Sequence, residues 1–469
     1  MLYDKLKEYA KSGAYPMHMP GHKRNTGFLP PGFPYDIDIT EIHDFDNLHA
    51  PCGCLLKIAD FAARLYGSDK SFLLVNGSTV GLLAAIGAHT VRGDKILMAR
   101  NCHLSVYNAV SLFGLSPIYI QPKTDEKTGF AASIAPSAVK SALDSDPDIK
   151  LVVLTSPTFE GVVSDISAIS DAVHEKNIPL LVDAAHGAHL GFSAKFPNSR
   201  VKAGADIVVI SLHKTLPALT QCALLHICGT RANTDETERL LKTLQTTSPS
   251  YVLMASIDHC LRLVASEGAH LFGEYEKKLE LFTERVSALK NLSVFTFPSS
   301  AGPQFYAHDP GKIVILTNNV MSGTELSEVL RAEYNIELEM ACPSYAVAMT
   351  SICDSVEGFV RLAEALIEID RSSGISNAAP KNRTVPPLPG QAVVPCDALR
   401  FQGRPVNLAN AVGLMSLEYI WAYPPGIPII TPGEIFDENT LSYITFLLES
   451  GITPISTKGN FPMILMCKN

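Results

Sequence analysis

Between residues 71 and 228 the chain repeats one pattern. A continuous apolar run ends in a small or polar residue, and a longer segment follows in which apolar positions recur every third or fourth residue. The runs are SFLLVN (71–76), DKILMA (94–99), SPIYIQP (116–122), IKLVVLTSP (149–157), IPLLVDAAH (178–186) and ADIVVIS (205–211). Runs that are apolar throughout, not only at alternate positions, predict strands buried on both faces. The helical segments between them supply the cover, which gives an α/β fold with a mostly parallel sheet flanked by helices. ALLHICG (223–229) follows the last run after too few residues for a helical crossover, so this strand is expected to run antiparallel to its neighbour.

The rhythm differs on either side of this block. Residues 1–55 are punctuated by Pro and Gly, as in PMHMPGHKRN and LPPGFPYDIDITE, and predict an extended N-terminal arm. Residues 56–300 form the main α/β domain, with a long helical pattern over 251–290. KIVILTNN, SGTELSEVLRAEY, YAVAMTSIC and VEGFVRLAEALIEI predict a small α+β domain over 301–370, with Ser322 and Glu325 as a capping box. A Pro-, Ser-, Gly- and Asn-rich linker is expected over 371–390, and a C-terminal module over 391–469.

Composition narrows the function classes. The chain has 469 residues, 46% of them apolar and 18% charged, with a formal net charge of −9. No basic run suits nucleic acid, no apolar stretch is long enough to span a membrane, and the charged start MLYDKLKEYAKSG is not a signal peptide. Ten cysteines without CxxC spacing read as reduced thiols of a cytoplasmic protein.

Three features sit where an open α/β sheet places ligands, at the C-terminal ends of its strands. Asn76-Gly77-Ser78-Thr79 opens a helix and offers free N–H groups and two hydroxyls, a seat for phosphate or simply a helix cap. Asp183 closes a buried run, where a carboxylate needs either a cationic partner or a capping role. Lys214, in SLHKTLPALTQ, closes the next run and is either a solvated strand-end lysine or a nucleophile toward a carbonyl. His186 and His189 have HxxH spacing, but no thiol or carboxylate nearby completes a ligand set, so no metal is expected. Phosphate seat, ring-nitrogen acid and nucleophilic lysine together describe the anchors of pyridoxal 5′-phosphate.

The chain at this point resembles the ornithine/lysine/arginine decarboxylases in their short form, with the aspartate-aminotransferase-like pyridoxal phosphate fold (fold type I). The matching words are HMPGHK (18–23), DITE (38–41), DNLHAP (46–51), FLLVNGST (72–79), ARNCHLSVYNA (99–109), TSPTFEG (155–161), VDAAHGAH (182–189), SLHKTLPALTQ (211–221), LQTTSPSY (244–251) and YPPGIPIITPGE (423–434). No receiver-like domain of the long family members precedes them, so ring assemblies are not implied.

The resemblance implies that residues 56–300 bind the cofactor. Lys214 links covalently to its aldehyde, Asp183 keeps its ring nitrogen protonated, and His103 stacks on the ring. Gly77, Ser78, Thr79, Ser211 and His213 hold the phosphate, and His186 lies near the phenolic oxygen or the substrate carboxylate. The implied reaction is decarboxylation of a basic amino acid, arginine ahead of lysine and ornithine, to a polyamine-type amine. Its substrate needs an acid for its cationic end, with Glu434 foremost, then Glu160, Asp46 and Asp44. A homodimer with a shared site is implied, contacted through the arm and through Thr247 and Ser248. Two positions depart from the family pattern, Leu104 where a lysine is usual and Cys396 in VPCDAL. They keep open an aminotransferase, a β-eliminating lyase and a cofactor-binding homologue without turnover.

Overall fold

The computed structural model describes residues 1–298, 302, 304–318, 320–372, 385–422 and 426–467. Residues 373–384 of the expected linker and 423–425 of the YPPG word lie outside the described residues. Seven strands form the central sheet: β1 (Lys70–Leu74), β2 (Lys95–Ala99), β3 (Ser116–Ile120), β4 (Ile149–Thr155), β5 (Leu180–Asp183), β6 (Ile207–Ser211) and β7 (Ala223–Ile227). Their spatial order is β1-β7-β6-β5-β4-β2-β3. All run parallel except β7, which is antiparallel to both β1 and β6. Every residue of β5, β6 and β7 is buried, as expected for strands covered on both faces.

The start of the arm is helical, contrary to the irregular reading. Helix α1 (Leu2–Lys11) buries Leu2 and Leu6, one turn apart, and packs on the 36-residue helix Tyr251–Val286. The Leu2 N–H donates to Asp258 Oδ2 at 2.7 Å. The charges in DKLKEYAK form the outer face of this short helix, and that face masked its apolar stripe in the sequence. Helix α2 (Cys54–Tyr66) follows the Pro- and Gly-rich part of the arm.

A four-stranded antiparallel sheet, Met340–Ala341, Tyr345–Met349, Lys312–Leu316 and Ser293–Val294, builds the smaller α+β unit. It draws its edge pair from before residue 301, because a two-residue strand leaves no periodic signal in the sequence. Ser322 and Glu325 close the capping box at the start of the helix Gly323–Tyr334. In the C-terminal module Gly403–Asn407 pairs with Met463–Cys467, and Ile420, Ile430, Phe436, Ile444 and Met466 form a separate core.

Candidate active site

The strand ends of the central sheet converge on one cavity of about 60 Å³, lined by Ser78, His103, Asp183, His186 and Lys214. Helix α3 (Gly77–Ala88) begins directly behind β1, and Gly77 turns the chain with φ +73°. A side chain there would strain the left-handed backbone, and the space above its α-carbon is open. The Gly77 N–H donates to the Gln221 carbonyl (3.0 Å), which brings the end of the SLHKTLPALTQ loop beside the α3 N-terminus.

Lys214 sits in a single helical turn, Leu212–Thr215, that caps β6. The Leu212 and His213 N–H groups both donate to the Cys222 carbonyl, at 3.0 and 3.4 Å, and this tether aims the lysine back over the sheet. Its Nζ lies 3.0 Å from His186 Nε2 and 5.3 Å from the centre of the Phe159 ring. Burial pushes the Lys214 ammonium toward the free amine, against the pull of Asp183 and Glu339.

Asp183 is 3% exposed, and one backbone N–H, from Ala185, donates to its Oδ1 at 3.1 Å. Burial raises its pKa, with His103 and Lys214 acting in the opposite sense. Among the described residues Asp183 forms no ion pair. His103 caps helix α4 (Leu104–Phe113): its Nδ1 accepts from the Ser105 N–H (3.2 Å) and lies 2.9 Å from Ser105 Oγ. Ser105 Oγ is 3.0 Å from Thr79 Oγ1, so the phosphate-seat word and the RNCH word are joined by hydroxyls. His213 Nδ1 bonds the Cys222 carbonyl at 2.9 Å, and the buried Ser211 hydroxyl meets no partner among the described residues.

A second chamber of about 170 Å³ adjoins the cavity, and Asn101, Ala131, Glu160 and Ile427 line both. Glu160 is buried and accepts a hydrogen bond from the Tyr345 hydroxyl at 2.7 Å.

Glu434, the foremost sequence choice for the substrate's cationic end, lines neither space. Its two oxygens are taken by Arg100, Nη1 at 2.7 Å and Nη2 at 3.0 Å, and by the Thr431 N–H at 2.7 Å. Its charge is already matched, so it has none to offer a substrate. The pair is a bidentate clamp between the main domain and the C-terminal module, with side chains 5% and 1% exposed. Glu434→Gln leaves the Arg100 guanidinium buried without a counter-charge and is expected to cost about 3–5 kcal/mol, read as a lowered urea midpoint.

Asp46 is likewise committed. Burial opposes its charge, but N–H groups of Asn47, Cys52, Gly53 and Leu55 outweigh burial and hold its pKa below the usual range. The Asp44 side chain is 71% exposed. His189 turns away from His186 to Asp309, at 3.1 Å. Leu104 and Cys396 line neither space, so the two departures from the family pattern stand off the site. Sequence reasoning missed Thr155, the last residue of β4, and Asn101, Ser105 and Phe159, which follow strand ends within a few residues. It also missed Lys312, which reads as the ordinary opening of a strand.

Residues 1–325 match the Orn/Lys/Arg decarboxylase major domain, and residues 387–453 match the Orn/Lys/Arg decarboxylase C-terminal domain. An arginine decarboxylase of Bacillus subtilis is 33% identical over 460 residues, covering 96% of this chain and 94% of that protein. A lysine decarboxylase of Pseudomonas aeruginosa is 24% identical, covering 94% of this chain and 74% of its own length. The structure of the constitutive lysine decarboxylase of Escherichia coli superposes with a TM-score of 0.82 at 18% identity, covering 100% of this chain and 82% of that one. The fold is therefore that of the fold-type-I decarboxylases, and the matched sequence, end to end, makes this chain a member of the Orn/Lys/Arg decarboxylase family.

Proposed function

We propose that the chain decarboxylates a basic amino acid, arginine ahead of lysine and ornithine, with pyridoxal 5′-phosphate as cofactor. The reading is carried by one observation: Lys214, Asp183 and His103 line one cavity, and Glu160 stands where that cavity meets the next chamber.

The residues present fit the cofactor. Asp183 is a buried carboxylate with no ion-pair partner among the described residues, as a site for a protonated ring nitrogen requires. The Ser211 hydroxyl is buried with no partner among the described residues, and open space stands over Gly77 at a helix N-terminus. Lys214 would hold the aldehyde carbon, Asp183 the ring nitrogen and His103 a ring face. Gly77, Ser78, Thr79, Ser211 and His213 would hold the phosphate. When bound, pyridoxal 5′-phosphate supplies a sink for the electrons of the broken Cα–CO₂⁻ bond.

The chain's own residues do the rest. Glu160 receives the guanidinium or ammonium of the substrate, with the Tyr345 hydroxyl fixing one of its oxygens. Phe159 and Ile427 line the cavity with apolar surface beside the departing carboxylate, which favours its loss as uncharged CO₂. Lys214, held toward the free amine by burial, takes a proton from the incoming substrate's α-ammonium and, as the ammonium, returns it to Cα, with His186 Nε2 3.0 Å from its Nζ.

Purified protein given pyridoxal phosphate and then arginine, lysine or ornithine is expected to turn yellow and release CO₂. A keto acid in place of CO₂ would show an aminotransferase, and yellow protein inert to all three would show a binding homologue. Glu160→Gln removes one charge-assisted contact worth about 1.5–3 kcal/mol, so kcat/KM for arginine should fall roughly 10- to 100-fold, mostly through KM.

The same reading includes a homodimer that shares its site. It is supported by exposed apolar residues on the arm, Tyr15, Met17, Met19 and Phe33, and by exposed Thr247 and Ser248. His49 Nε2 lies 2.8 Å from the Thr246 carbonyl and joins the arm to that loop. A cytoplasmic setting fits ten cysteines without CxxC spacing, and a role in polyamine synthesis follows from the product.

A further inference from the structure

The guanidinium of Arg100 makes one bond that charge matching does not require. Beside its two contacts with Glu434, Nη2 donates to the Ile429 carbonyl at 3.0 Å. Ile429 lies in the strand Ile427–Ile430, an edge of the three-stranded sheet of the C-terminal module. The register of this strand with Ile420–Ala422 shifts between Ile420 and Trp421. Ile420 faces Ile430 and Trp421 faces Pro428, so Ile429 has no register partner among the described residues. Arg100 supplies to this open edge the donor that a neighbouring strand would supply.

Ile427 stands two residues earlier on the same strand. Among the described residues it is the one from the C-terminal module that lines the cavity with Lys214 and Asp183. Side chains two apart along a strand share a face, about 7 Å from one another. Ile427 and Ile429 accordingly both line the adjoining chamber. The carbonyl that Arg100 holds is one pleat away from the apolar wall of the cavity.

Arg100 is fixed in its turn. Its N–H donates to the Ile120 carbonyl at 2.8 Å, and its carbonyl accepts from the Tyr107 hydroxyl at 2.5 Å. Its guanidinium lies 4.7 Å from the centre of the Tyr119 ring. It also begins the RNCH word, in which Asn101 lines cavity and chamber and His103 lines the cavity. One side chain therefore ties the loop that carries His103 to the strand that carries Ile427. A carboxylate leaves as CO₂ more readily where water does not solvate its charge, and a strand free to swing outward would let water in.

We propose that Arg100 is a positioning residue: through the Ile429 carbonyl and Glu434 it holds Ile427 against the cavity, and so makes the C-terminal module the wall that keeps water from the substrate carboxylate. This rests on the reading of the chain as a decarboxylase.

Trp421 is the chain's one tryptophan and faces Pro428 across the strand pair, so its fluorescence reports on this edge without cofactor or substrate. Two variants of the full chain release the strand and leave no unmatched buried charge. Arg100→Met combined with Glu434→Met removes both charges. Arg100→Lys keeps a cation for Glu434 but has no planar fork to share between carboxylate and carbonyl. In each, acrylamide quenching of Trp421 in the cofactor-free protein should rise about twofold or more. In the loaded enzyme kcat for CO₂ release should fall roughly tenfold or more, while KM moves by less than about threefold. A clamp that served stability alone would lower the urea midpoint and leave kcat of the folded protein in place. Ile427→Thr should lower kcat about fivefold further than Ile427→Val, whose shape it shares, because its hydroxyl brings water to the wall. Either readout unmoved in a folded Arg100 variant overturns the proposal, and so does equal kcat in the Thr and Val variants. If the unaltered protein releases no CO₂ from arginine, lysine or ornithine, the parent reading fails and takes the water-excluding role with it, whereas Trp421 still reports the hold of Arg100 on the strand.

Discussion

Lys214→Ala is expected to lose both the yellow colour of the loaded protein and CO₂ release, the latter by at least roughly 10⁴-fold. The lysine is the amine that shares the cavity with Asp183, and among the described residues lining that cavity no other lysine stands ready to replace it. Lys312 reaches only the far nitrogen of His186. Absorbance after reconstitution and trapped radiolabelled CO₂ are the measurements. Persistent CO₂ release by a protein shown to carry Ala at this position would remove Lys214 from the chemistry.

Asp183→Asn is expected to keep part of the cofactor affinity and lose turnover by roughly 10³-fold, about 4 kcal/mol. The two effects separate because different groups carry them. On the proposed reading, phosphate contacts at the α3 N-terminus would hold the ligand, whereas the buried Asp183 carboxylate would keep the ring nitrogen charged. Binding measured by fluorescence and turnover measured on the same sample should therefore part company. Equal losses in both would make Asp183 a mere anchor, and near-normal turnover would remove it from the electron-sink role.

The sheet was legible in the sequence because each strand holds an unbroken apolar run of three or four residues, not an alternation of apolar and polar ones. The antiparallel β7 was legible from the short connection after Lys214. Helix α1 was not, since only Leu2 and Leu6 mark its buried face among many charges. In the site, residues that end strands were readable as a set. What failed was the pairing of buried charges across long separations. Glu434 looked like an available acid because nothing in ITPGE announces Arg100, and Lys312 looked like a strand residue because its partner, His186, lies 126 positions away. A sequence shows where ionisable groups stand along the chain, while folding decides which of them neutralise one another.

The clamp between Arg100 and Glu434 has a consequence for how such chains diverge. The two residues are 334 positions apart, and either one alone would be an unmatched charge in the interior. Neither is free to drift while the other stays. Among relatives, loss of the acid should be accompanied by loss of the base, and a chain cut down to its first two units would need a neutral residue in place of Arg100 to remain soundly folded.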